Sequence, residues 1–155
     1  MKKGVKILSV LLISFLLMGC EEKEVVKKCT LSINNTDNGY SLKSTYEIHA
    51  KNNVVNSVKT KEVVTSEKDS ILSYFEKTLN NTYKKANDTY GGYTYNVKND
   101  NNKVTSDVKI DYNKMNLKKY VSDNSVMKSY VNSNNKLTLK GAIKIYENLG
   151  ATCKD

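Results

Sequence analysis

The stretch ILSVLLISFLLM, from Ile7 to Met18, decides how much of this chain can belong to a fold. Lys2, Lys3 and Lys6 stand in front of it. A run of about twelve apolar residues falls short of the ~20 that a bilayer-spanning helix needs. Its length, and the positive charge ahead of it, are those of an export signal. A core helix would carry a polar face, whereas only Ser9 and Ser14 interrupt this run. Residues 1–19 are therefore expected to be a signal peptide that is removed. Taking 19 from 155 residues leaves 136, one domain by size and enough to bury a core without metal staples.

The run ends Leu17-Met18-Gly19-Cys20. This resembles the bacterial lipobox, which implies a diacylglyceryl group on the Cys20 thiol and cleavage just before it. One acyl chain holds a protein only marginally and two hold it stably. The expected mature protein begins at Cys20, carries its lipid there, and sits on the extracytoplasmic face of the cell membrane. Residues 20–28 (CEEKEVVKK) are charged and aperiodic and read as a tether, with a single domain over 29–155.

Three cysteines are an odd number for an exported chain. Lipid at Cys20 leaves Cys29 and Cys153, an even remainder outside the cytoplasm, which is expected to form a disulfide. The net charge of +9 falls to +6, because the signal carries three lysines and no acid. Every basic residue other than the single histidine is lysine. A lysine-rich surface first of all keeps the domain soluble; a basic balance also suits an anionic envelope component. Nucleic acid is not an expected partner, since the compartment is wrong and the forked arginine that reads guanine and phosphate is missing.

Along the mature chain, Cys29 to Ile33 alternate with period two. NNTDNG follows, then Tyr40, Leu42, Tyr46 and Ile48 on one strand face with Ser41, Lys43, Thr45 and Glu47 on the other. A turn at Lys51-Asn52-Asn53 leads to a third strand over 54–65. Ser66-Glu67-Lys68-Asp69 reads as a capping-box-like helix start, and Ile71, Leu72, Phe75, Leu79, Tyr83 and Ala86 supply one apolar stripe through Asn87. GYTYNV, an NDNN turn and a return strand to Tyr112 come next. Short helices are expected around Leu117–Val121 and Val126–Val131, a strand at KLTLKG, and a helix over Ala142–Asn148 stopped by Gly150. Two segments, from Gly39-Tyr40 and from Gly92-Tyr93, share a strand–turn–strand–helix pattern. The expected fold is α+β: an antiparallel sheet of five or six strands packed on one long helix, with short C-terminal helices.

Residues 74–121, YFEKTLNNTYKKANDTYGGYTYNVKNDNNKVTSDVKIDYNKMNLKKYV, resemble the YehR-like family of small bacterial lipoproteins. The shared features are a helix, a glycine before an alternating strand, a polar turn, and a return strand ending in IDY ahead of a Leu/Lys-rich segment. LTLKGAIKIYENLGATC resembles that family's C-terminal helix and glycine stop. The resemblance implies a compact α+β lipoprotein domain and supplies no catalytic residues.

Chemistry finds few footholds. Nucleophilic catalysis wants a histidine base, and the one histidine, His49, falls on the strand face away from Tyr40–Ile48, where it is expected to be solvated. Zinc and calcium spacings are missing, so no metal or cofactor is expected, and Asp100 among asparagines reads as a hairpin turn. Asp111 reads as a strand-end cap. Tyr90, Tyr93 and Tyr95 could stack a ligand but read first as the rim of a core. The expected function is a non-enzymatic, membrane-anchored envelope binding or structural module. The alternatives are an envelope enzyme acting on glycans, which needs paired carboxylates in a cleft, and a carrier of lipid or hydrophobic ligand, which needs an apolar cavity between sheet and helix.

Overall fold

The computed structural model describes residues 24–154. Residues 1–19, read as a signal peptide, and Cys20 lie outside the described residues. Strand β1 (Glu24–Asn35) begins inside the stretch read as a tether, because Val25, Cys29 and Leu31 alternate with residues that face solvent and every position from Glu24 to Asn35 pairs with the next strand. That partner is β2 (Tyr40–Lys51), which pairs in turn with β3 (Val54–Thr65).

After helix α1 (Asp69–Tyr90) come β4 (Tyr93–Asp100) and β5 (Lys103–Asp111). Helix α2 (Leu117–Asp123), a 3₁₀ turn (Ser125–Ser129) and helix α3 (Leu139–Asn148) lead to the short β6 (Thr152–Lys154). The six strands form one antiparallel sheet in the order β4-β5-β3-β2-β1-β6. Asn52-Asn53 and Asn101-Asn102, all at positive φ, close the β2–β3 and β4–β5 hairpins. Two-residue turns with that geometry match the right-handed twist of the strands they join. The two halves noted in the sequence are thus β2-β3-α1 and β4-β5-α2.

Helices cover one sheet face, and the cover is divided. Leu72, Phe75 and Leu79 of α1 pack with Tyr40, Leu42, Val64, Val97 and Val104 in a smaller cluster. The larger cluster lies under the shorter elements: Ile48, Val55 and Val58 of the sheet meet Leu117, Val121, Met127, Leu137, Ala142 and Tyr146. The long helix is therefore not the main lid of the core.

Two local expectations are corrected. Ser66 does not cap α1; its Oγ donates to the Gly39 carbonyl and accepts from the Lys68 amide, and the helix starts at Asp69. KLTLKG is not a strand. Only single bridges join Leu137 to Val131 and Thr138 to Val54, and Thr138 caps α3 by accepting from the Gly141 amide. A threonine that can satisfy an open helix amide starts a helix where β-branched alternation alone suggests extension. Cys153 falls in β6 directly opposite Cys29, and the two form the expected disulfide across 124 residues.

Candidate functional site

The second face of the sheet is free of the helices and of both apolar clusters. Strand alternation puts the polar half of every strand here, and the register aligns these residues in rows across the sheet. One row runs Thr94, Lys109, Lys59, Glu47, Lys28, Lys154. The next runs Asn96, Asp107, Lys61, Thr45, Thr30, Thr152. Side chains from the first four strands of these rows line a trough of about 500 Å³. A second hollow of about 450 Å³, with Thr30, Ser32, Lys43 and Thr152 among its lining residues, shares Thr45 with the first.

The trough is mixed in charge but mostly cationic. Lys61 Nζ sits 4.0 Å from Asp107 Oδ1. Lys59 and Lys109 oppose each other directly, as do Lys28 and Lys154, with Glu47 between the two pairs. Threonine methyls and lysine methylenes give it apolar walls under charged ends. Such a surface can hold an extended, charged, flexible molecule by many weak contacts.

His49 lies at the end of this face, flanked across the strands by Val26 and Ser57. It is half-buried rather than solvated. Its Nε2 is 3.9 Å from Glu47 Oε2, and that nitrogen has no hydrogen-bond partner among the described residues. No base–nucleophile hydrogen bond is therefore formed through Nε2. Asp111 caps its turn: Oδ1 accepts from the Asn113 amide and Oδ2 lies 3.9 Å from Lys114 Nζ. No group of three or more His, Cys, Asp or Glu able to hold a metal occurs among the described residues.

Sequence reading missed a polar seam on the helix-covered face. Ser44, Glu62 and Ser106 align across β2, β3 and β5, between the two apolar clusters. Glu62 Oε2 accepts from Tyr83 Oη of α1 at 2.5 Å and from Ser106 Oγ at 2.8 Å. The Ser44 hydroxyl is buried without a partner among the described residues. Glu62 sits where strand alternation calls for an apolar residue, and that break in the pattern is the signal that could have found it. Glu62→Ala strands the Tyr83 and Ser106 hydroxyls and is expected to lower stability by about 2 kcal/mol, against about 1 for Tyr83→Phe, by urea denaturation.

The tyrosines rim the core. Tyr46 stacks on Tyr146 with centroids 4.2 Å apart, Tyr90 meets Tyr120 edge-on, and Tyr83 leans on Tyr95. Burial pushes Tyr93 up to about 12, and burial together with the Glu62 charge raises Tyr83 and Tyr46. Burial also raises Tyr112 and Tyr146. Unfolded tyrosine ionises near 10. Because the folded values are raised, the stability these hydroxyls contribute is whole below about pH 10 and is lost as pH climbs through 12. In an alkaline titration, tyrosinate absorbance should rise cooperatively and together with loss of circular dichroism.

Neither a protein-family model nor a curated protein sequence matches this chain. Two solved structures are similar to this chain. One is the NMR structure of the E. coli YehR protein, 16% identical, with a TM-score of 0.54 over 86% of this chain and 92% of that one. The other is an NMR structure of a Streptococcus pneumoniae TIGR4 protein, also 16% identical, with a TM-score of 0.48 over 99% and 98% of the two chains. The fold is YehR-like.

Proposed function

We propose that this chain is a lipid-anchored extracytoplasmic module that binds a component of the cell envelope on the bare face of its sheet. The trough across β4, β5, β3 and β2 carries the reading, being a solvent-open hollow lined by exposed lysines and threonines on the one face that the core does not use. The N-terminal lysines, apolar run and Leu-Met-Gly-Cys ending support an address outside the cytoplasm. The cystine joining the two ends of the domain suits an oxidising compartment. The proposed anchor is the lipid at Cys20; no helix among the described residues is long and apolar enough to cross a membrane.

Photo-crosslinking in intact cells tests the face. A crosslinker replacing Lys61 on the trough is expected to capture envelope material. One replacing Lys85, on the exposed side of α1, is expected to capture none. Equal capture from both positions overturns the proposal.

A further inference from the structure

We infer that the bare face holds a linear polyanion through two anion subsites, each built from two lysines directly opposed across neighbouring strands. This inference rests on the reading of that face as the binding surface and goes on to name the ligand class. Lys59 faces Lys109 between β3 and β5, and Lys28 faces Lys154 between β1 and β6. Like charges in directly opposed positions destabilise a sheet. None of the four forms an ion pair among the described residues. Each pair therefore presents two exposed lysines outside any close ion pair, and Glu47, directly opposite both Lys59 and Lys28, is the one carboxylate in their row. An anion seated between the two removes the repulsion and gains two charge-assisted contacts.

Both pairs belong to the same row, with Glu47 between them. Their centres are three strand intervals apart, roughly 14 Å at the usual strand spacing. A single small anion fills one pair and leaves the other. A chain carrying anionic groups at intervals fills both, lying across the strands, and Glu47 repels any anion placed between them. The trough discriminates between polyanionic partners. A bilayer is planar on this scale and cannot follow a hollow of about 500 Å³, whereas a flexible chain can settle into it. Thr45 and Thr94 then meet its uncharged links.

The test uses the full processed protein and a poly(glycerol phosphate) chain as probe, with glycerol phosphate monomer and phosphatidylglycerol–phosphatidylcholine vesicles as comparisons. Two variants, Lys59→Thr/Lys109→Thr and Lys28→Thr/Lys154→Thr, each remove one subsite; Lys84→Thr/Lys85→Thr on α1 removes the same charge elsewhere. Each subsite variant is expected to bind the chain about tenfold more weakly, with a melting temperature equal to or above that of the parent. The α1 variant is expected to bind as the parent does, and the monomer to compete poorly. Unchanged affinity in both subsite variants, or an equal loss in the α1 variant, overturns the inference, as does binding to vesicles with none to the chain. Should the polyanion fail to bind while in-cell crosslinks stay confined to Lys61, the ligand class falls and the binding face stands. Crosslinks spread equally to Lys85 bring down both.

Discussion

Replacing both Cys29 and Cys153 by alanine should lower unfolding free energy by about 4 kcal/mol. The disulfide joins residues 124 apart, so it closes nearly the whole domain into one loop. A loop of that size restricts the unfolded chain by about 5 kcal/mol in the chain-entropy account. Both ends are already held opposite each other by the β1–β6 pairing. Cys29 is fully buried, and alanine leaves only a small void there. The change should appear in urea denaturation as a lower midpoint together with a steeper slope, because the uncrosslinked unfolded chain exposes more surface. Reductant added to the parent protein should reproduce both effects. A midpoint unchanged by either treatment would mean that the cystine does not constrain the unfolded chain.

The second large effect has the opposite sign to the one helix propensity gives. Gly141 lies in the first turn of α3, where alanine should stabilise an isolated helix by about 1 kcal/mol. A Cβ at this position would run into the Tyr130 carbonyl, with the Tyr130 carbonyl carbon at 2.9 Å and Thr138 Oγ1 at 2.8 Å. Backbone held in place by its own hydrogen bonds cannot move aside cheaply: Tyr130 O accepts from the Thr138 amide and hydroxyl. Gly141→Ala is expected to destabilise the domain by about 3 kcal/mol. Thermal denaturation of the variant decides between the steric and the propensity arguments.

The same glycine shows where sequence reading stops. The strands β2 and β3, the β2–β3 and β4–β5 turns and the stripe of α1 were legible, because period-two and period-3.6 patterns and Asn-Asn turns are local signals. The start of α3 was not. KLTLKG alternates like a strand, and only the approach of the Tyr130 backbone explains why glycine stands where it does. Strand β6 is three residues long and exists through its pairing with β1, too short for any periodic signal. The division of the core was likewise invisible, since the best helical stripe in the sequence belongs to the smaller cluster.

The candidate site was legible only in part. The polar positions of β2 were assigned to one face from alternation alone; of these, Thr45 and Glu47 line the trough and Lys43 lines the second hollow. The opposed lysine pairs depend on register between strands distant in sequence, such as Lys28 with Lys154, and no local pattern encodes that. Glu62 could have been flagged as a carboxylate on a core-facing position, but its donors Tyr83 and Ser106 come from other elements.

The proposed address outside the cytoplasm suits both the Cys29–Cys153 cystine and the proposed anionic partner, and that address rests on Cys20. Intact mass spectrometry of the protein extracted from membranes tests it most directly. The account predicts a chain that begins at Cys20 and carries a diacylglyceryl group, with residues 1–19 gone. A chain that begins at Met1 with an unmodified Cys20 would contradict it.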